Sequence, residues 1–160
     1  MPALPRCYVA SPLGFNEAGR VYYQRIYLPA LAEVVEPLDP WAQVAPETIA
    51  RAQAGGVAAL RELWLETGLG NLALIERAPL LAAWLDGQEV DSGTATEIGY
   101  AAGRGVRCFG LRSDVRSAGE EGMEVNLQVE ATIAHSGGRI VGSLDALVAV
   151  LRDAAAALRA

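Results

Sequence analysis

Residues 80–101 read LLAAWLDGQEVDSGTATEIGYA, and they give the clearest indication of how the chain folds. The first six residues, 80–85, are an uninterrupted apolar run, which predicts a strand that is buried on both faces of a sheet. Asp86 and Gly87 end this strand, and residues 94–103 have the composition of a helix. A buried strand that leads through a loop into a helix is typical of a parallel α/β sheet.

The same alternation of short apolar segments and helical segments extends along the rest of the chain. It predicts a flavodoxin-like (Rossmann-like) α/β fold, a three-layer sandwich with a five-stranded, mainly parallel sheet. The 160 residues contain no repeat or linker, so residues 1–160 are expected to form a single domain. Ligands bind such sheets beyond the carboxyl ends of the strands. The four other predicted strands are residues 7–10, 34–38, 106–111 and 139–141.

The first helix is predicted to begin after Asn16, whose side chain is a good N-cap. Pro29 is expected to bend or interrupt this helix, because proline has no N–H to donate. Two later helices are predicted to follow Asn126 and Ser143. The residues expected to face inward from the first helix are Val21, Ile26, Leu28 and Leu31.

An Ala-rich region at residues 46–67 is also predicted to be helical. Gly68 and Gly70 are expected to break it, because glycine disfavours a helix interior. Asn71 is then available to cap a short helix that runs through residue 77.

Composition and charge exclude several classes of function. The net charge of -6 opposes binding to nucleic acid, which relies on clustered cationic groups. All 13 basic residues are Arg, and the absence of Lys excludes lysine Schiff-base chemistry and a P-loop lysine. The sequence has neither a secretory signal nor a run of about 20 apolar residues, so we expect a cytoplasmic protein without membrane contact.

The two cysteines do not indicate a metal or redox site. Cys7 and Cys108 each lie alone in a short apolar run, with no second cysteine nearby. Isolated thiols in such runs are typical of buried structural residues. We therefore expect no metal ion and no cofactor.

The carboxylates of Asp91 and Glu97 lie six residues apart, between a buried strand and a helix. If the helix starts near Gly93 or Thr94, Glu97 falls in its first turn, where backbone N–H groups favour an ionised carboxylate. An ionised carboxylate is a potential nucleophile. The alternative is that Glu97 only stabilises the first turn of the helix, as acidic residues commonly do.

Residues 91–101, DSGTATEIGYA, resemble the D-x-G-x-x-x-E-x-G-x-A signature of nucleoside 2-deoxyribosyltransferases. Residues 7–12 (CYVASP) resemble the first strand of that family, which carries a tyrosine. Residues 37–39 (PLD) resemble the exit of its second strand, and residues 125–128 (VNLQ) resemble its late N-L motif. The similarity spans most of the chain, from about residue 7 to residue 141.

The resemblance implies a retaining transfer of 2′-deoxyribose between nucleobases, so the partners are 2′-deoxynucleosides and free nucleobases. It implies that Glu97 is the nucleophile, that Tyr8 orients the Glu97 carboxylate and that Asp91 binds sugar hydroxyls. Asn126 is implied to complete the site of a neighbouring subunit, since family members are commonly homo-oligomers built from dimers, often hexamers. Further residues implied in substrate binding are Ser11, Gly93 and Gln128.

Three positions near the expected site have open interpretations. Asn71 stands where several family members carry an aspartate that protonates the departing base, and an amide cannot deliver that proton. Either Asn71 binds the base while water, Asp39 or Asp86 supplies the proton, or Asn71 is only a helix cap. Trp41 replaces a glutamine of some relatives and is either a stacking platform or a core residue. Phe15 is similar to a family aromatic that covers the base, and the tryptophans expected in the core are Trp64 and Trp84.

Two other functions are considered beside the transferase. The first is an N-glycosidase that hydrolyses 2′-deoxynucleoside 5′-monophosphates. Asp91 disfavours it, because a carboxylate repels a phosphate and relatives that hold a phosphate tend to carry serine there. The second is a sensor that binds nucleosides without catalysis, since a fold alone does not fix a function.

Overall fold

One parallel sheet forms the centre of the computed structural model, which describes residues 3–159. Its strands are β1 (Arg6–Ala10), β2 (Glu36–Leu38), β3 (Leu80–Trp84), β4 (Arg107–Leu111) and β5 (Ile140–Val141). They lie in the order β2-β1-β3-β4-β5, and each neighbouring pair is parallel. This is the flavodoxin-like strand order, so the predicted fold is confirmed.

Helices connect the strands and cover both faces of the sheet. Two short 3₁₀ turns, Pro12–Phe15 and Pro40–Ala42, follow β1 and β2. Among residues 3–159, no helix combines the length and the apolar character that a membrane span requires. The helices are α1 (Glu17–Tyr22), α2 (Leu28–Ala32), α3 (Pro46–Ala54), α4 (Val57–Ile75), α5 (Ser92–Gly103), α6 (Leu127–His135) and α7 (Leu144–Ala157).

The core is divided by the sheet into two layers. Successive strand residues point to opposite faces, so Cys7 and Val9 pack in one layer while Tyr8 and Ala10 pack in the other. The first layer is completed by α2 and α7, and the second by α5 and α6. Tyr8 pairs with Leu81 on β3 and is fully buried, which fixes its ring beneath α5.

The first helical segment begins as predicted but turns a different face inward. The Asn16 side chain accepts a hydrogen bond from the Gly19 N–H at 2.7 Å, which confirms the cap. A π-helical turn at Tyr23–Tyr27 then precedes Pro29, and it rotates the segment so that Tyr23, Tyr27 and Leu31 are buried. The prediction that Val21 and Ile26 face inward is wrong, since both side chains are exposed.

The break in the Ala-rich region lies earlier than predicted. Gly56 has φ of +89° between α3 and α4, a conformation that favours glycine, whereas Gly68 and Gly70 lie inside α4. Asn71 therefore does not cap a helix, and that interpretation is wrong. Tertiary packing overrides the cost of about 1 kcal/mol that each interior glycine adds relative to alanine.

The π-helical turn allows a matched pair of stability measurements. Among residues 3–159 the buried Tyr27 hydroxyl has no hydrogen-bond partner, whereas the Tyr23 hydroxyl donates to Asp39 Oδ1 at 2.8 Å. We expect Tyr27→Phe to leave the free energy of unfolding unchanged or raise it by up to about 1 kcal/mol, because an unpaired buried hydroxyl is removed. Tyr23→Phe should lower it by about 1–2 kcal/mol, because a hydrogen bond to a carboxylate is lost. Urea unfolding measures both, and a larger loss for Tyr27→Phe would contradict this account.

Candidate active site

A cavity of about 320 Å³ opens beyond the carboxyl ends of the strands, where such folds bind ligands. Seven of the ten residues predicted for the site line it: Ser11, Phe15, Trp41, Asn71, Asp91, Gly93 and Glu97. Tyr8 lies beneath the cavity and contacts Glu97, while Asn126 and Gln128 lie elsewhere. Residues that the sequence analysis missed complete the wall: Pro40, Val44, Ile49, Trp64, Thr67 and Thr94.

The Glu97 carboxylate is held by two donors on one of its oxygens. The Tyr8 hydroxyl donates to Glu97 Oε1 at 2.6 Å, and Asn71 Nδ2 donates to the same atom at 3.3 Å. Tyr8 comes from the central part of the sheet and Asn71 from α4, so the carboxylate is fixed between two elements. The other oxygen, Oε2, takes part in neither bond.

Burial controls the ionisation of this carboxylate. It raises the pKa of Glu97 from the ordinary 4.5 to about 7, and the nearby negative charge of Asp91 also raises it. The hydrogen bonds from Tyr8 and Asn71 favour the anion and lower this pKa. The pKa of Tyr8 is itself raised, first by burial and then by the charge of Glu97, so the phenol keeps its proton and remains a donor.

Glu97 does not lie in the first turn of α5, and the prediction that placed it there is wrong. The helix begins at Ser92, because Asp91 is its N-cap and accepts from the Thr94 N–H at 3.0 Å. Glu97 is therefore in the second turn, where its backbone position gives the carboxylate little help from the free N–H groups. This explains why desolvation dominates the pKa of Glu97.

Two aromatic residues form one wall of the cavity. The rings of Phe15 and Trp41 pack edge to face, with centroids 4.8 Å apart and an interplanar angle of 87°. Trp41 Nε1 donates to the Ser11 carbonyl oxygen at 3.1 Å. A Cβ atom at Gly14 would lie 2.3 Å from the Trp41 ring, so only glycine lets the ring lie over the first 3₁₀ turn. Trp41 is thus a residue of the cavity wall rather than of the core.

The two aspartates considered as proton donors are engaged elsewhere. Asp39 Oδ1 accepts from the Tyr23 hydroxyl at 2.8 Å and from the Trp41 N–H at 2.9 Å, which fixes the turn that carries Trp41. Asp86 accepts from the Ser113 N–H and hydroxyl and thereby ties the loops after β3 and β4 together. Neither carboxylate lines the cavity.

The other two tryptophans differ in their surroundings. Trp84 packs edge to face against Tyr22 and Tyr27, at centroid distances of 5.4 and 5.5 Å, as expected of a core residue. The same expectation for Trp64 is wrong, since this residue is 47% exposed and lines the cavity. The signal in the sequence was that apolar residues occur on all sides of the segment that forms α4.

Asn126 and Gln128 lie together at the start of α6. Asn126 is the N-cap, and its Oδ1 accepts from the Gln128 N–H at 3.0 Å. Both residues are exposed. Among residues 3–159, no cluster of three or more His, Cys, Asp or Glu side chains could hold a metal ion, and Cys7 and Cys108 are buried free thiols.

The raised pKa of Glu97 predicts a cost to stability that depends on pH. The folded protein holds the Glu97 proton up to a pH of about 7, whereas the unfolded chain releases it near 4.5. Stability conferred by protonation is therefore lost as the pH rises from 4.5 to 7. We expect Glu97→Gln to raise the free energy of unfolding at pH 8 by about 1–2 kcal/mol, after allowance for partial exposure, and to have little effect at pH 4.5. Urea unfolding at both pH values is the measurement, and an equal effect at the two would contradict the assignment.

Residues 7–137 match the family described as nucleoside 2-deoxyribosyltransferase, which confirms the resemblance seen in the sequence. None of the curated proteins matches this chain in sequence.

Three solved structures are similar over almost the whole chain. A conserved protein from Enterococcus faecalis V583 has a TM-score of 0.69 at 23% identity and covers 94% of this chain and 99% of its own. A 2-desoxiribosyltransferase from Leishmania mexicana has a TM-score of 0.64 at 24% identity, with coverage of 95% and 98%. A 2-deoxyribosyltransferase from Bacillus psychrosaccharolyticus has a TM-score of 0.60 at 18% identity, with coverage of 91% and 95%. These structures share the fold, and the family match over residues 7–137 shows that the chain belongs to the nucleoside 2-deoxyribosyltransferase family.

Proposed function

We propose that this protein moves 2′-deoxyribose from one nucleobase to another through a covalent intermediate on Glu97. The observation that carries the proposal is the Glu97 carboxylate, which borders a cavity while Tyr8 and Asn71 hold its Oε1. A volume of about 320 Å³ is within the range of small-molecule sites.

The residues that line the cavity suit the two halves of a nucleoside. The base binds against Trp41 and Phe15, whose edge-to-face pair offers an apolar surface for a flat ring. Asp91 receives the hydroxyls of the sugar, which places C1′ near Glu97. Phe15 is 71% exposed, so it covers the base from the solvent side.

The reaction proceeds by two displacements at C1′. Glu97 Oε2 attacks C1′, and the bond from C1′ to the base nitrogen breaks with its electron pair leaving on the base. Tyr8 keeps its proton and stabilises the remaining charge on Oε1. A nitrogen of the second base then attacks C1′ and gives up its proton to solvent, while the bond from C1′ to Glu97 Oε2 breaks and its electron pair returns to the carboxylate. The original configuration at C1′ is thereby restored.

The departing base receives its proton from solvent. Asn71 borders the cavity but has no acidic proton, and Asp39 and Asp86 are held outside it by other hydrogen bonds. Asn71 instead donates an N–H hydrogen bond to Glu97 Oε1. Because no side chain is assigned to protonate the departing base, breaking its bond to C1′ depends more strongly on attack by the Glu97 carboxylate. The ionised fraction of Glu97 therefore limits the rate at low pH.

The substrate is a nucleoside rather than a nucleotide. Asp91 lines the cavity beside Glu97, so a substrate phosphate next to Asp91 would meet a negative charge. A sugar hydroxyl, in contrast, can donate a hydrogen bond to the Asp91 carboxylate. The hydrolysis of 2′-deoxynucleoside 5′-monophosphates is therefore the less favoured function.

Base exchange tests the proposal directly. Incubation of the protein with deoxyinosine or thymidine and free adenine should yield deoxyadenosine, and Glu97→Ala should abolish the yield, because the nucleophile is removed. Chromatography of the nucleosides measures the product. Free sugar without a new nucleoside would identify a hydrolase instead, and unchanged substrate would indicate a binding protein.

We also propose that the site is completed in a homo-oligomer, in which Asn126 reaches the cavity of a neighbouring subunit. Asn126 is exposed and lies outside the cavity of its own subunit. The exposed residues of α4 provide an apolar surface of the kind that interfaces bury: Val57, Trp64, Leu65 and Leu69. Trp64 belongs to both this surface and the cavity wall, so a second copy seated there also closes the cavity.

Complementation between two inactive variants tests the shared site. Glu97→Ala and Asn126→Ala should each be poorly active alone, whereas their co-expression should restore about one quarter of the activity of a dimer, because half of the subunit pairs contain one intact site. The control is co-expression of Glu97→Ala with Glu97→Gln, which should stay inactive. Mixed oligomers that form without recovering activity would contradict the role of Asn126.

A further inference from the structure

Gln43 contacts the hydrogen-bond partner of Glu97, although nothing in its sequence context indicated a role in the site. It follows the second 3₁₀ turn, and its Nε2 donates to Asn71 Oδ1 across 28 positions in the chain. Asn71 in turn donates through Nδ2 to Glu97 Oε1 at 3.3 Å. The three side chains therefore form one continuous row that ends at the carboxylate.

The direction of this row follows from the chemistry of amides. An asparagine side chain has one oxygen that accepts and one nitrogen that donates. The ionised Glu97 carboxylate only accepts, so the nitrogen of Asn71 turns towards it, and the Gln43 N–H group satisfies the Asn71 oxygen that is left facing away. Without Gln43, the Asn71 amide is free to rotate and to present its oxygen to the carboxylate, which is unfavourable for the anion.

Gly70 leaves space for the end of the Gln43 side chain, and this is a second observation beside the hydrogen bond. A Cβ atom at Gly70 would lie 2.5 Å from Gln43 Oε1, so a side chain at position 70 requires the end of the Gln43 side chain to shift from the position in which it meets Asn71. Gly70 lies inside α4, where glycine costs about 1 kcal/mol relative to alanine. Gly68, in the same helix, has nothing within 4 Å of its own hypothetical Cβ atom.

We propose that Gln43 is a positioning residue, which locks the Asn71 amide with its nitrogen towards Glu97, and that Gly70 is the glycine that admits it. The proposal rests on the transfer function proposed above, because it assigns Gln43 a role in keeping the nucleophile ionised. Gln43 does not line the cavity, so it acts through Asn71.

The role predicts an effect on ionisation that a purely structural contact would not have. The groups that face Glu97 are Tyr8 from β1, Asn71 from α4 and Asp91 at the start of α5. Only the hydrogen bonds from Tyr8 and Asn71 lower the pKa of Glu97, and burial keeps it near 7. Loss of the Asn71 donor therefore moves the pKa of Glu97 upward, and the acidic limb of the activity profile moves with it.

The two glycines of α4 provide a matched pair of variants. Gly68→Ala and Gly70→Ala should both stabilise the helix, because each removes an interior glycine. Gly68→Ala should leave base exchange unchanged. Gly70→Ala should lower kcat/KM near pH 6 by about three- to tenfold, the range expected for one lost hydrogen bond, with a smaller loss at pH 8.5. The same activity at every pH for the two variants would overturn the proposal.

A double-mutant cycle separates the row from an independent effect of each residue. Gln43→Leu should reproduce the loss seen for Gly70→Ala, and adding Gln43→Leu to Asn71→Leu should cause no further loss, because Gln43 acts only through Asn71. Additive losses would contradict the proposal. Carboxyl-carbon NMR of Glu97 gives its pKa without turnover, so the upward shift in Gly70→Ala and Gln43→Leu can be tested even if base exchange is not found.

Discussion

The hydrogen bond from Tyr8 to Glu97 is the interaction on which the site depends, because it joins the buried centre of the sheet to the helix that carries the carboxylate. Tyr8 is fully buried on β1, and its ring cannot move without disturbing the packing beneath α5. Because the Tyr8 hydroxyl donates to Glu97 Oε1 at 2.6 Å, the carboxylate is held in a fixed position relative to the sheet. In the proposed reaction a carboxylate placed in this way loses little freedom when it attacks, which is how positioning contributes to rate.

The same burial that fixes the carboxylate makes its charge costly. Desolvation raises the pKa of Glu97 to about 7, and only two hydrogen bonds oppose this effect. An exposed glutamate would be fully ionised at neutral pH, but it would also be well hydrated and less reactive. The site therefore combines a desolvated carboxylate with a loss of stability, a compromise that is common where function requires a strained or desolvated group.

The parts of the fold that depend on local pattern could be predicted from the sequence, and the parts that depend on tertiary contact could not. Apolar runs located all five strands, Asn16 caps α1 as predicted, and helices follow Asn126 and Ser143 as predicted. Gly68 and Gly70 were predicted to end a helix but lie inside α4, because a glycine within a helix has the same local sequence signature as a glycine that ends one. Packing against other elements decides between them, and single-sequence propensity contains no information on packing.

The residues of the candidate site, like the fold, could be predicted where they depend on local pattern but not where they depend on tertiary contact. The motif around Asp91 and Glu97 identified the carboxylates, since spacing within one loop and helix is local. Trp64 was assigned to the core because the apolar residues of α4 could not be divided into inner and outer faces. Gln43 was missed because its partner is 28 residues away, and nothing in the spacing shows that two amides will meet.

The amide of Asn71 bears on two requirements of the proposed reaction, which are the ionisation of Glu97 and the supply of a proton to the departing base. An aspartate at this position would add a third carboxylate beside Asp91 and Glu97, and its charge would raise the pKa of Glu97 further. The amide instead donates to Glu97 and lowers that pKa. For the proposed reaction this favours an ionised carboxylate at the cost of a proton source for the departing base. The proposed reaction needs an ionised Glu97 in every turnover, whereas solvent water can supply the proton to the departing base. The substitution of an amide for an acid is therefore compatible with transfer, provided that the amide is held with its nitrogen towards the carboxylate.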